Sequence, residues 1–519
     1  MNSIRRAAVV STILVLCAMH GGSASAKEKL PPTLSKGHRI LIENGLQIQG
    51  MASADDPFHL ETYAALNYSA INWFNNSNPK LMGPPPGVPW ARWLQPKEVP
   101  PPAKEMPPSA NERPYAGKFI ALSLGDEPDL NNPAVRDKYV KWFNEAAKTH
   151  PNQILYINNF GGQVKDAELA DFIARGKPDM ISWDVYPFKF AGANNPQRVQ
   201  PEGACPFNWY ADLRRYRAHS LGAKIPFAIY RQTYHSETEG VRDPSDSELR
   251  QLTFAALAFN AKYITDFTYN TGASSLFDKT KGGDNAPNDL YRKLQAINHE
   301  ARNLGKALVR LTPIDDVPGS PHTTSIVILR GKHKDGKTGR PVHNWTNGAP
   351  DDGVLGYTGF ARDAASPDYT DWEFGRNDPY LSGPFNDTGV TNLGKFNDGL
   401  PGDVFLSWFK PLDDALVEPK SHPAATQATS QLYLMVTNGL ADMDGDASQT
   451  KQRIKLNFGS GKTKFPYDHL QKIDRQTGKV VNVPLKKLSE DVRQLDLTLE
   501  GGTSELFKFP TGAPFIGVK

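Results

Sequence analysis

From about residue 38 to residue 305, segments that read as strands alternate with segments that read as helices. Such alternation constrains the chain more than any other feature. A strand that must return to a parallel neighbour needs a crossover, and the crossover is usually a helix. The visible strands are RILIENGLQIQGM, YSAINWFNN (68–76), KFIALSLGDE (118–127), QILYINNF (153–160), DMISWDVYPF (179–188), IPFAIYRQTY (225–234) and YITDFTYNTG (263–272). Helical patterns separate them, among them PAVRDKYVKWFNEAAKTH (133–150) and DSELRQLTFAALAFNA (246–261). Seven β-α units are visible. An eighth strand is expected inside the Pro-rich stretch 78–114, where the pattern is interrupted. Length and pattern predict a (β/α)8 barrel over 27–311. No Gly-rich phosphate fingerprint follows the first strand, which disfavours a doubly wound open sheet.

After about residue 312 the helical period fades. Short β-like runs take over, including DVFLSWFKPL, SQLYLMVTNGL, QRIKLNFG and VRQLDLTLEGG. Their spacing and turns predict a C-terminal antiparallel β-sandwich within 312–519, preceded by long irregular loops. DRQTGK reads as a hairpin turn.

The first 26 residues hold a basic start (MNSIRR), an apolar run (AAVVSTILVLCAM) and small residues (SASA) before Lys27. They read as a signal peptide cut near Ala26, for export to the periplasm or beyond. The apolar run is short for a bilayer span, and no later stretch reaches about 18 apolar residues. With Cys17 lost in that segment, Cys205 has no partner for an internal disulfide, so stability must come from the core. Cys205 itself reads as a small buried residue. The formal charge is +3, of which Arg5 and Arg6 supply two. A near-neutral remainder calls for neither nucleic acid nor anionic membrane as a partner. A monomer is expected.

In a barrel of this kind the chemistry collects where the strands end. The strand-end residues here are Glu43 and Asn44, Asn72 and Trp73, Asp126 and Glu127, Asn158 and Asn159, Asp184 and Tyr186, Arg231, Gln232, Tyr234 and His235, and Asp266, Tyr269 and Asn270. This is a ring of carboxylates, amides and aromatics. Sugar hydroxyls want donors and acceptors, and sugar C–H faces want rings. No Cys cluster, HExxH or P-loop is present, and neither a metal nor a cofactor is expected. DMDGDAS (442–448) lacks the twelfth-position acid of a Ca²⁺ loop, since Arg453 stands there, and reads as a polar turn.

Glycoside hydrolysis usually needs two carboxyl groups. Glu127 is the natural acid, because a dry strand end and the neighbouring Asp126 both raise its pKa. Asp184 shares a face with Ser182 and Tyr186 and is the candidate partner, as base in an inverting pair. Asp266 sits mid-strand and reads as a satisfied interior residue. Trp73, Trp90, Trp93, Asn158, Tyr186, Gln232, Tyr234 and Tyr269 are the candidate substrate-binding residues; Trp183 has the opposite parity to Asp184 and reads as packed under a helix.

With these residues in view, the chain resembles secreted bacterial glycoside hydrolases of the TIM-barrel superfamily. GDEP stands where such enzymes carry an acid after strand four, and SWDVYPF is similar to their D-x-YP strand end. The resemblance implies a glycosidase acting on a poly- or oligosaccharide. It also exposes a departure. The retaining members place a nucleophilic Glu on strand seven, where this chain has Gln232. The Asp126–Glu127 pair is similar to that of substrate-assisted N-acetylhexosaminidases, in which the Asp orients the substrate's acetamido group. A barrel that binds carbohydrate without cleaving it is the other reading of the missing Glu.

Overall fold

The computed structural model describes residues 30–53, 58–74, 87–94, 98–101, 106–190, 209–271, 273–278, 286–313, 326–329, 332–334, 341–343, 389–417, 431–459 and 467–518. The expected signal segment, Cys17 and Cys205 lie outside them. Eight parallel strands close into a barrel: β1 (Gln47–Ser53), β2 (Ala70–Phe74), β3 (Trp90–Leu94), β4 (Phe119–Asp126), β5 (Ile154–Phe160), β6 (Ile181–Asp184), β7 (Phe227–Gln232) and β8 (Tyr263–Phe267). Closure is made by β1 pairing with β8, Gln47 opposite Tyr263. The expected eighth strand is β3, whose WARWL lies within the Pro-rich stretch and pairs with β2 and β4.

Among the described residues, seven α-helices accompany the strands: α1 (Lys36–Asn44), α2 (Leu60–Ala65), α3 (Pro133–Thr149), α4 (Asp166–Gly176), α5 (Trp209–Ala223), α6 (Asp246–Ala258) and α7 (Asp289–Leu308). One expectation is corrected. RILIEN, read as the start of the first strand, is the second half of α1. Ser35 caps that helix by accepting from the His38 N–H at 3.3 Å, and Gly45 ends it at φ 80°. Its buried residues Gly37, His38, Leu41 and Ile42 recur at helical spacing. Leu41 closes the lower lumen against Ala70, Ala91, Ala121 and Ala228. Glu43 and Asn44 are therefore exposed on α1 and are not strand-end residues.

The C-terminal part is a sandwich of two antiparallel sheets. One is ordered β10 (Ile326–Leu329), β14 (Val404–Pro411), β15 (Tyr433–Asn438), β21 (Ser504–Lys508), β17 (His469–Ile473) and β18 (Val480–Pro484), with β9 (Leu311–Pro313) also on β14. The other is β13 (Gly389–Asn392), β16 (Gln452–Gly459), β20 (Val492–Leu499) and β19 (Lys486–Lys487). A separate hairpin joins β11 (Lys332–Lys334) to β12 (Pro341–His343).

Period-two alternation gives the first sheet two buried faces. Val404, Leu406 and Trp408, with Leu434, Val436 and Phe507, face Ile454, Leu456 and Leu495 of the second sheet. Phe405, Phe409, Tyr433, Met435 and Leu506 face the other way and join the barrel's own core. Phe405 meets the Tyr210 ring edge-on at 5.0 Å and lies 6.2 Å from Phe259. DRQTGK is a turn between β17 and β18, with Gly478 at φ 67° and Asp474 accepting from Thr477. The Asp442–Asp446 run is a polar turn on the start of α6, where the Asp442 carbonyl accepts from Ser245 at 2.7 Å.

Candidate active site

The mouth of the barrel is built around the end of β4. Its pairing with β5 slips between Ser123 and Asp126. Gly125 sits at φ 93° against the Tyr139 ring, and Glu127 at φ 44°. A bulge of this sort re-aims side chains. It turns Asp126 and Glu127 into the mouth together, although they are neighbours in sequence. The Glu127 N–H donates to the Asn158 carbonyl at 2.9 Å, which ties the turn to β5. The following helix, α3, starts six residues later with its own cap, Asn132, so the acidic pair has no capping duty.

Asp126 accepts from the Asn158 side-chain amide at 2.9 Å. Burial raises its pKa, and Asn158 and Trp93 oppose the rise. Asp184, at the end of β6, is almost fully buried, and Tyr186 donates to it at 3.3 Å. Glu127 and Asp184 lie close enough for each carboxyl group to influence the other's ionisation. Burial, followed by the nearby charges of Glu127 and Asp126, holds Asp184 well above the usual carboxylate range. Glu127 is also raised, first by burial, with Asp126 and Glu239 adding to the rise. Both carboxyl groups are thus held above the usual carboxylate range, Asp184 the more strongly. Asp184 is the deep end of the pair and Glu127 the exposed end.

Tyr186 and Tyr234 wall the same space. Tyr186 stacks on Phe267 at 5.4 Å and 17°, and its ring lies 5.6 Å from Tyr234. Trp93 is half-buried beside Asp126. Asn158 is the hub, touching Asp126 and Asp184 and accepting from Ser182 at 3.3 Å.

Four expected binding residues lie elsewhere. Trp90 is fully buried, stacked on Phe119 at 4.2 Å, its N–H given to the Tyr115 carbonyl at 2.9 Å. Trp73 is buried against Phe58 at 4.9 Å. Tyr269 is buried among Phe58, Tyr63 and Phe277. Gln232 is fully buried; its amide accepts from the Phe188 N–H at 3.0 Å and donates to the carbonyls of Phe188 (3.0 Å) and Arg242 (2.7 Å). None of these four presents a surface to a ligand. Asp266 is the satisfied interior residue expected, held by both arms of Arg231 and by Tyr68. Trp183 packs under α5 against Trp209 and Tyr216.

Three residues at the mouth escaped the sequence reading. Phe160 ends β5 and Phe190 follows β6, and both rings are exposed at more than 40%. Glu239, on the loop after β7, is exposed. Only the ring exposures could have flagged the first two, and a loop glutamate carries no signal in sequence. Among the described residues no group of three or more His, Cys, Asp or Glu side chains is arranged to hold a metal ion. No helix among them is long and apolar enough to cross a membrane.

A closed (β/α)8 barrel with a carboxyl-rich mouth, backed by a β-sandwich, is the class of protein that fold and site define. No protein-family model matches the sequence, and no curated protein is similar to it in sequence. Solved structures show distant similarity. A glycoside hydrolase family 5 protein from Bacteroides vulgatus ATCC 8482 is 8% identical, covering 89% of each chain, with a TM-score of 0.41. A 4-O-α-L-rhamnosyl-β-D-glucuronidase from Fusarium oxysporum 12S is 9% identical over 92% of this chain and 98% of its own, with a TM-score of 0.39. A β-galactosidase from the psychrophilic Marinomonas ef1 is 10% identical with a TM-score of 0.35; 51% of this chain is matched, spanning 62% of that enzyme.

Proposed function

We propose that this protein is a secreted glycoside hydrolase of a poly- or oligosaccharide, with Glu127 as general acid, residues 27–311 as its catalytic barrel and 312–519 as an accessory part. The placing of the exposed Glu127 at the end of β4, with the buried Asp184 at the end of β6, carries the reading. A general acid must hold a proton near neutral pH and lie where a leaving oxygen can reach it. Burial and the neighbouring Asp126 raise Glu127 in that direction. Asp184 is the candidate partner carboxylate. Asp126, already engaged by Asn158, orients the hub. Tyr186, Tyr234 and Trp93 supply ring faces and polar tips for sugar. Export rests on the first 26 residues.

A barrel that binds glycan without cleaving it is the second reading, favoured by the absence of a carboxyl group at the Gln232 position. Turnover separates the two. Wild type and Glu127→Gln are assayed on polysaccharides and 4-nitrophenyl glycosides, 2-acetamido sugars included. The enzyme reading expects sugar release by wild type and a loss of about 10²–10⁴-fold in the variant. Glycan affinity with no turnover of any substrate supports the binding barrel instead.

A further inference from the structure

We infer that Phe160 is the platform for the sugar held between the ends of β4 and β6, its ring stacked on a pyranose face of axial C–H bonds. The assignment rests on the carbohydrate reading of the mouth above, and it holds for a barrel that cleaves and for one that only binds. Strand order places the residue. β5 runs between β4, which ends at Asp126 just before Glu127, and β6, which ends at Asp184.

Parity sets the direction of the side chain. Asn158 faces the lumen, where its amide donates to Asp126 at 2.9 Å and accepts from the Ser182 hydroxyl at 3.3 Å. Phe160 lies two residues on and shares that face. The ladder does not slip before it: Asn158 pairs with Ser182, Asn159 with Trp183 and Phe160 with Asp184. The Gly161 N–H donates to the Asp184 carbonyl at 2.9 Å and carries the pairing one bond further. Phe160 and Asp184 are thus cross-strand neighbours on one face, their Cα atoms about 4.8 Å apart.

The ring lacks the cover of an ordinary strand phenylalanine. It is 42% exposed, at the end of a strand whose other six residues are buried. Among the described residues no other aromatic ring packs on it. Phe190, exposed to the same degree, differs, because its ring meets His235 edge-on at 5.6 Å. A lone exposed phenylalanine on an outer surface is ordinary. Phe160 instead stands on the lumen face, flanked by two strands that end in carboxyl groups. Asp126, Asn158 and Asp184 offer donors and acceptors for hydroxyls, and Phe160 supplies the apolar surface that a sugar's C–H face needs.

The backbone behind the ring is fixed. The Phe160 carbonyl accepts from the Gln163 N–H at 3.1 Å, closing a turn with Gly162 at φ 76°. Gly161 is wedged in place: a Cβ there would lie 2.5 Å from Asp212 Oδ2 and 2.6 Å from Val185 Cγ2. A ring on so constrained a turn is set for its ligand before binding and loses little freedom when the sugar arrives.

Wild type, Phe160→Ala and Phe160→Trp are compared on the panel of polysaccharides and 4-nitrophenyl glycosides named above. KM and kcat are read where wild type turns a substrate over, and Kd by calorimetric titration where it binds without turnover. Phe160→Ala should raise KM or Kd about 10–100-fold. It should change kcat only a few-fold and leave the thermal midpoint at the wild-type value. Phe160→Trp, which keeps a ring, should stay within a few-fold of wild type. Wild-type KM or Kd in Phe160→Ala overturns the platform and leaves the glycosidase reading intact. Weaker binding that comes with a lowered midpoint and is not rescued by Phe160→Trp also overturns it, since the ring then serves the fold. Neither turnover nor binding of any glycan by wild type overturns the carbohydrate reading, and the platform with it.

Discussion

At the scale of single residues, the site is a problem of burying acids. Asp126, Glu127 and Asp184 raise one another's pKa, and the Asn158 amide offsets part of that cost at Asp126. Asp212 on α5 is a buried acid outside this cluster. Burial pushes its pKa up to about 7, against the pull of Arg215 and the Gly162 N–H. A raised acid pKa means that folding favours the protonated form. Its contribution is fully present below about pH 3.8 and is lost as pH rises towards 7. Above that pH the ionised carboxylate costs about 4 kcal/mol. Asp212→Asn should therefore raise the thermal midpoint relative to wild type at pH 8 and raise it much less at pH 5. An equal shift at both values would contradict this. Residue-scale legibility followed strand geometry. Glu127 and Asp184 could be set at strand ends from sequence because the strand pattern and its parity mark those positions. Trp73, Trp90, Tyr269 and Gln232 were misplaced because neighbours from distant segments, not their own spacing, bury them.

At the scale of elements, the end of β4 is the most demanding stretch. Gly125 allows φ 93°, and a Cβ there would lie 2.6 Å from the Tyr139 ring. Gly125→Ala should strain the turn and push against α3, costing about 1–3 kcal/mol and shifting both acids. Denaturant unfolding and kcat would check it; activity and stability near wild type would contradict the account. The elements themselves were largely legible. The seven alternating units, the strand hidden in the Pro-rich stretch and the DRQTGK turn all follow from local pattern. RILIEN misled because two isoleucines and a leucine mimic a strand, whereas a capping serine and a terminating glycine made it a helix.

Across the whole molecule, the barrel and the sandwich share one core. The sheet of β14, β15 and β21 is buried on both faces, so neither part is complete alone. Buried charges bridge the same boundary, with Glu300 on α7 gripped by Arg250 and Arg475. Phe405→Ala should cost about 3–5 kcal/mol, and calorimetry should show a single transition in wild type. Two separated transitions would contradict a shared core. The change of period near residue 312 was visible in sequence, but the shared core was not. Alternation marks a face as buried without naming what covers it. The central claim, that Glu127 protonates a leaving glycosidic oxygen, is tested most directly by varying the leaving group. On a series of aryl glycosides, Glu127→Gln should keep much of its rate with acidic phenols, which need no proton, and lose about 10²-fold or more with poor leaving groups. An equal loss across the series, or none, would contradict it.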